Sequence, residues 1–140
     1  MAEAENTQVV KDAYAAFGRG DVAAIVNLCD ENVEWHGVVG TEGVLPQSGV
    51  RHGKPAVAEF FKQVSDSTDF LTFEPQEFVA QGDRVVVIGR YSARMKPSGQ
   101  QYASGWVMLF TVRNGKITKF AEYSDSAQLI RAYTGATVGA

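Results

Sequence analysis

The main change in the chain's hydrophobic period, from helical to strand-like, comes near Phe70. Ahead of it, apolar residues recur at helical spacing. Val9, Val10, Ala13, Tyr14 and Phe17 form one stripe over residues 7–19, with Asn6 or Thr7 to cap it and Gly18-Arg19-Gly20 to stop it. Asp21 caps a second, short helix that buries Val22, Ile25, Val26 and Cys29, and the brief turn between the two predicts an αα-hairpin. Pro55 starts a third helix, whose Val57, Phe60, Phe61 and Val64 fall at i, i+3, i+4 and i+7. Between the second and third helices lie a short strand, residues 33–36, and a glycine-punctuated stretch, residues 37–53, long enough to act as a lid.

Past Phe70 the pattern is that of strands. Residues 70–73 and 77–80 flank Pro75, which predicts an edge position or a bulge. Long strands follow over residues 84–94, 102–112 and 116–124, parted by Gly82-Asp83, by Pro97-Ser98-Gly99 and by the hairpin signal Asn114-Gly115. Asp125 caps a terminal helix that runs through Tyr133 and closes at Gly135. Early helices and late strands argue for an α+β fold. The expected architecture is cone-shaped: a strongly curved antiparallel sheet with three N-terminal helices on its concave side and a conical cavity between them.

With 140 residues, the chain is one domain, residues 1–140. Thirteen Lys and Arg against 16 Asp and Glu leave a net charge of −3, so no broad cationic surface exists for nucleic acid. The single cysteine, Cys29, excludes a disulfide framework and a Cys-rich zinc site. Two histidines without paired spacing give no metal site, and the glycines match no phosphate or dinucleotide fingerprint. No apolar run of about 18 residues is present to span a membrane, and the acidic start is unlike a signal peptide. A cytoplasmic protein is the expectation.

Four segments carry a family resemblance. They are Tyr14-Ala15-Ala16-Phe17 with Gly20-Asp21, then Val33-Glu34-Trp35-His36, then Arg51-His52-Gly53-Lys54-Pro55 with Phe60-Phe61, and Asn114-Gly115-Lys116-Ile117 with Glu122-Tyr123-Ser124-Asp125. In this order the chain resembles the nuclear transport factor 2-like superfamily, and within it the SnoaL-like and ketosteroid-isomerase-like branch. The resemblance implies an apolar cone with a few polar residues at its base, where a carboxylate or histidine moves a proton beside a carbonyl without a cofactor. The branch holds isomerases, polyketide cyclases, dehydratases, epoxide hydrolases and non-catalytic domains, so fold does not name the reaction.

The resemblance places His36 near the base of isomerase-like enzymes and Glu122 where SnoaL-like cyclases carry an acidic base. Imidazole titrates near neutrality, and burial would raise Glu122 toward the same range. Each has a structural alternative: His36 bonded to backbone, Glu122 paired with an arginine such as Arg90. Asp125 is a third acid, with helix capping as its other role. Tyr14 lies one residue from the position of the isomerase tyrosine, which aligns with Ala13. Met108 aligns with the isomerases' protonated aspartate, so their oxyanion arrangement is expected to be absent. Phe17, Trp35, Phe60, Phe61, Trp106 and Met108 are expected to wall the pocket, or to be core. Arg90 would bind substrate, or face solvent or a dimer contact. His52, between Arg51 and Lys54, is expected on the surface. These readings point to cofactor-free proton transfer on a small apolar oxygenated molecule by a homodimer joined through the sheet's outer face. The alternatives are a non-catalytic ligand-binding or dimeric scaffold domain and, last, a protein adaptor.

Overall fold

The computed structural model describes residues 2–135. The elements run α1 (Ala2–Gly18), α2 (Val22–Asn27), β1 (Cys29–His36), β2 (Val50–His52), α3 (Lys54–Ser67), β3 (Thr68–Gln81), β4 (Arg84–Met95), β5 (Gln101–Arg113), β6 (Lys116–Ser124) and α4 (Ser126–Thr134). Six strands form one curled, unclosed sheet in the order β2-β1-β6-β5-β4-β3. Helix α1 lies against β3, β4, β5 and β6, while α3 covers β1, β2 and β3. The core fills the space between these helices and the sheet.

Local chemistry explains most boundaries. Asp21 caps α2 by accepting from Ala24 N–H at 3.1 Å, and Pro55 occupies the first turn of α3. Asp125 accepts from Gln128 N–H at 3.2 Å to start α4, and Gly135, at φ 79°, ends it in the left-handed region. Asn114-Gly115, both at positive φ, make the tight β5–β6 hairpin.

The sheet departs from the expected pattern in three places. First, β1 begins at Cys29 and pairs parallel to β6, so the sheet is mixed rather than wholly antiparallel. Second, the segments on either side of Pro75 are one strand, β3, whose register shifts between Phe70 and Thr72 and between Pro75 and Glu77. That strand lies at the sheet edge, where a residue without an N–H is tolerated. Third, the glycine-rich stretch contains β2 and is packed rather than loose. Val38, Leu45 and Thr41 are buried there, and Val39 N–H donates to the Glu122 carbonyl at 3.0 Å.

Helix α4 is fastened to the β4–β5 hairpin. Gln100 Nε2 donates to the Gly135 carbonyl at 3.1 Å, Ser98 Oγ donates to the Ala132 carbonyl, and Asp125 N–H donates to Ser104 Oγ at 3.0 Å. These bonds hold Leu129 against the interior.

Candidate functional site

Between the helices and the sheet's inner face lies a cavity of about 80 Å³. Eleven of its 20 lining side chains are aromatic, and none is Lys, Arg or His. Glu122 is its one acidic residue. The half-buried members of the lining, Tyr14, Phe17, Phe61, Val64, Phe70 and Phe73, sit on α1, α3 and β3, so the mouth opens between these elements. Phe17 touches Phe61, Phe70 and Phe73 at centroid distances of 6.1, 5.5 and 5.0 Å, closing the mouth with rings.

Strand pairing sets the floor. Met108 faces Glu122 across β5 and β6, and Trp106 faces Ser124 and Gly89. Alternation then sends Glu122, Met108, Phe110 and Phe120 inward together. Glu122 is buried, and its Oε2 accepts from Ser124 Oγ at 2.9 Å. Burial raises its carboxyl to about 7, and the Ser124 bond only partly opposes this. The acid therefore titrates near neutrality.

Around it stand three phenols. Tyr14 donates to Met108 Sδ at 3.0 Å and stacks on Trp106 at 5.8 Å. Tyr91 and Tyr102 share a hydroxyl–hydroxyl bond of 3.2 Å. Burial first, and the nearby Glu122 second, pushes Tyr14 well above the ordinary phenol range. Burial also raises Tyr91 strongly, and takes Tyr102 up to about 12. All three stay protonated as hydrogen-bond donors.

Several expected site residues lie elsewhere. Trp35 turns inward and stacks on Phe120 at 4.0 Å, so its strand neighbour His36 must face outward. There His36 Nε2 sits 2.7 Å from Glu34 Oε2, an oxygen that Lys119 also approaches at 3.4 Å. His36 is therefore not at the cavity. Arg90 is exposed on the outer face because its neighbour Tyr91 points in, so it neither reaches the cavity nor pairs with Glu122. Asp125 is exposed and caps α4. Trp106 stands behind the lining, supporting Tyr14 and Phe73, at 5.1 Å from the latter. Tyr14, Phe17, Trp35, Phe60, Phe61, Met108 and Glu122 do meet at the cavity. No group of three or more potential metal ligands occurs among the described residues.

Tyr91, Tyr102, Gln47 and Thr68 also line the cavity and were not anticipated. Alternation along β4 and β5 carried a usable signal for the tyrosines. Buried positions 85, 87, 89, 91, 93 and 95 form one face of β4, and Tyr91 lies on it. Gln47 had no such signal, since its burial depends on how the loop folds back.

The SnoaL-like domain family matches residues 10–120. A nuclear transport factor 2-like protein from Burkholderia xenovorans is 37% identical, with 94% of this chain and 97% of that one covered and a TM-score of 0.83. A nuclear transport factor 2-like protein of unknown function from Burkholderia pseudomallei is 27% identical over 93% and 98% of the two chains, with a TM-score of 0.85. TerC, co-crystallised with polyporic acid, is 27% identical over 93% and 98%, with a TM-score of 0.82. No curated protein matches the chain. The family match spans the helical hairpin, both halves of the sheet and most of β6, and the cone seen here is the fold of those neighbours, so the chain belongs to the SnoaL-like domain family.

Proposed function

We infer that the protein binds a small, neutral, oxygenated molecule in this cavity and moves a proton on it with Glu122, without a cofactor. One observation carries the reading: a buried carboxyl that titrates at about 7 stands in an aromatic cavity whose lining has no cation. An acid poised near neutrality is effective both as acceptor and as donor of a proton. An anionic ligand would enter without a counter-charge, beside a carboxyl of its own sign. The co-crystal of TerC with polyporic acid, in a chain 27% identical, supports a small organic ligand.

The reaction class that fits is proton transfer beside a carbonyl, as in an isomerase, cyclase or dehydratase. Met108 Sδ accepts the Tyr14 hydroxyl's hydrogen bond at 3.0 Å, so the tyrosine arrangement differs from one that donates freely to substrate. The cavity volume favours a second reading. About 80 Å³ is roughly half of an engineered apolar cavity that admits benzene, so even a ring of that size must displace Phe17 or Phe61 at the mouth. A non-catalytic ligand-binding domain would keep the same cavity and not need Glu122.

Exchange of α-hydrogens separates the two. Cyclopentanone in deuterated buffer is expected to lose its α-hydrogen signal in the proton spectrum when the protein is added. Glu122→Gln is expected to lower that exchange at least about 100-fold. Equal exchange by wild type and Glu122→Gln would remove Glu122 as the base, and binding without exchange would favour the non-catalytic reading.

A homodimer joined through the outer sheet face belongs to the same proposal. Ile88, Val107 and Tyr123 are 37%, 38% and 48% exposed and register side by side across β4, β5 and β6. Such a row of apolar side chains gains from cover by a second copy.

A further inference from the structure

Most polar side chains of the cavity lining are bonded to protein. Glu122 accepts from Ser124, Tyr14 donates to Met108, Tyr91 and Tyr102 bond each other, and Thr68 bonds Ser67. Gln47 is different. It is 4% exposed and lines the cavity. Its Oε1 accepts from Ser67 Oγ at 3.4 Å, while its Nε2 donates to none of the described residues. An amide nitrogen carries two N–H donors, and burying them unbonded is costly. A ligand that brings an acceptor into the cavity removes that cost.

The loop presents Gln47 by its backbone. Arg51 Nη2, on β2, donates to the Pro46 carbonyl at 2.8 Å and to Gln63 Oε1 on α3, and it reaches the Ser48 carbonyl at 3.5 Å. The two carbonyls stand on either side of Gln47 in the chain. The Gln47 carbonyl in turn lies against Gly37, where a Cβ would overlap it. The Ser67 bond then orients the side chain. Donors held this way before a ligand arrives need little ordering when it binds.

Strand register separates this amide from the acid. Glu122 faces Met108, and Met108 faces Val87 near the start of β4. Thr68, next to the Ser67 that holds Gln47, faces Met95, the last residue of β4. Acid and amide therefore address different parts of a ligand.

We propose that Gln47 is a specificity-determining residue, whose amide donates to an acceptor oxygen that the ligand carries apart from the group at Glu122. The ligand class is a neutral molecule with two separated oxygens, one of them an ether or a second carbonyl. The inference rests on the reading that a neutral oxygenated molecule occupies this cavity. It holds whether or not Glu122 moves a proton.

Cyclohexanone, tetrahydropyran-3-one and tetrahydropyran-4-one test it. They are six-membered rings of one shape, and in the last two an ether oxygen replaces a methylene group. Any cost of moving Phe17 or Phe61 is common to all three. Chemical-shift titration of the backbone amides gives the dissociation constants. The wild type is expected to bind one of the pyranones at least about fivefold tighter than cyclohexanone. Gln47→Met keeps an unbranched side chain and loses the amide. It is expected to reverse the preference, because the ether oxygen then enters without a donor. The wild type supplies a second readout should the variant fold poorly: the Gln47 side-chain amide protons are expected to shift downfield with the favoured pyranone and not with cyclohexanone. Equal binding of the three rings by the wild type, or a preference that survives in Gln47→Met, would overturn the proposal and leave the cavity as a site for neutral ligands. An equal loss of all three rings in a well-folded Gln47→Met would overturn it in favour of a supporting role in the loop. If no ring binds the wild type, the reading of the cavity fails, and this inference with it.

Discussion

Glu122 owes its chemistry to its surroundings, and stability records the cost. Its carboxyl is raised from 4.5 to about 7 by burial. Between those values the unfolded chain is ionised while the folded chain keeps the proton, so folding binds a proton. Stability is therefore fully retained below pH 4.5 and falls as pH rises through about 7, by on the order of 3 kcal/mol. Urea midpoints taken at about pH 5 and about pH 8 are expected to show this fall, and Glu122→Gln is expected to remove most of it. Gly89 is the second residue whose role is local and sharp. A Cβ there would overlap the Glu74 carbonyl oxygen and the Trp106 ring. Gly89→Ala is expected to cost about 1–3 kcal/mol in denaturant melts, because the ring that backs Tyr14 must move. His36→Ala, by contrast, is expected to leave ketone exchange within about twofold, since His36 bonds Glu34 on the far side of β1.

Elements decide which side chains meet. The Asn114-Gly115 hairpin pairs Arg113 with Lys116 and Val112 with Ile117. Continued unchanged, that register would put Met108 opposite Ala121. A shift between Thr111 and Val112 instead brings Met108 opposite Glu122 and Phe110 opposite Phe120. The hairpin was legible from two residues, but the irregularity that seats Glu122 beside Met108 was not, because nothing in the local pattern marks it. The parallel pairing of β1 with β6 was likewise hidden, since strand direction depends on the path of the chain between them. At α4 the local signal was sufficient. Asp125 caps the helix and Gly135 closes it, as their chemistry predicts. Asp125→Ala is expected to cost about 1 kcal/mol of stability in thermal melts while ketone exchange persists, which separates a capping role from a catalytic one.

The whole molecule is a cone with two unlike faces. Its inner face is aromatic and holds one acid, and its outer face carries the Ile88–Val107–Tyr123 row beside charged residues. Val107→Glu would set a charge in the middle of that row. Sedimentation is expected to find a dimer for the wild type and a monomer for Val107→Glu; a monomeric wild type would dismiss the sheet-face interface. The sequence by itself determined the long helices and strands, the Asp21 and Asp125 caps, the hairpin and the aromatic stock of the interior, but neither β2 nor the start of α1, which begins at Ala2 rather than at an Asn6 or Thr7 cap. The former depend on side-chain period and on backbone preferences that act within a few residues. Only the tertiary structure decided that Glu122 is inside while His36 and Arg90 are outside, and that Tyr91 meets Tyr102. A strand's two faces differ by a single residue of register, and register is set by pairing between segments far apart in the chain.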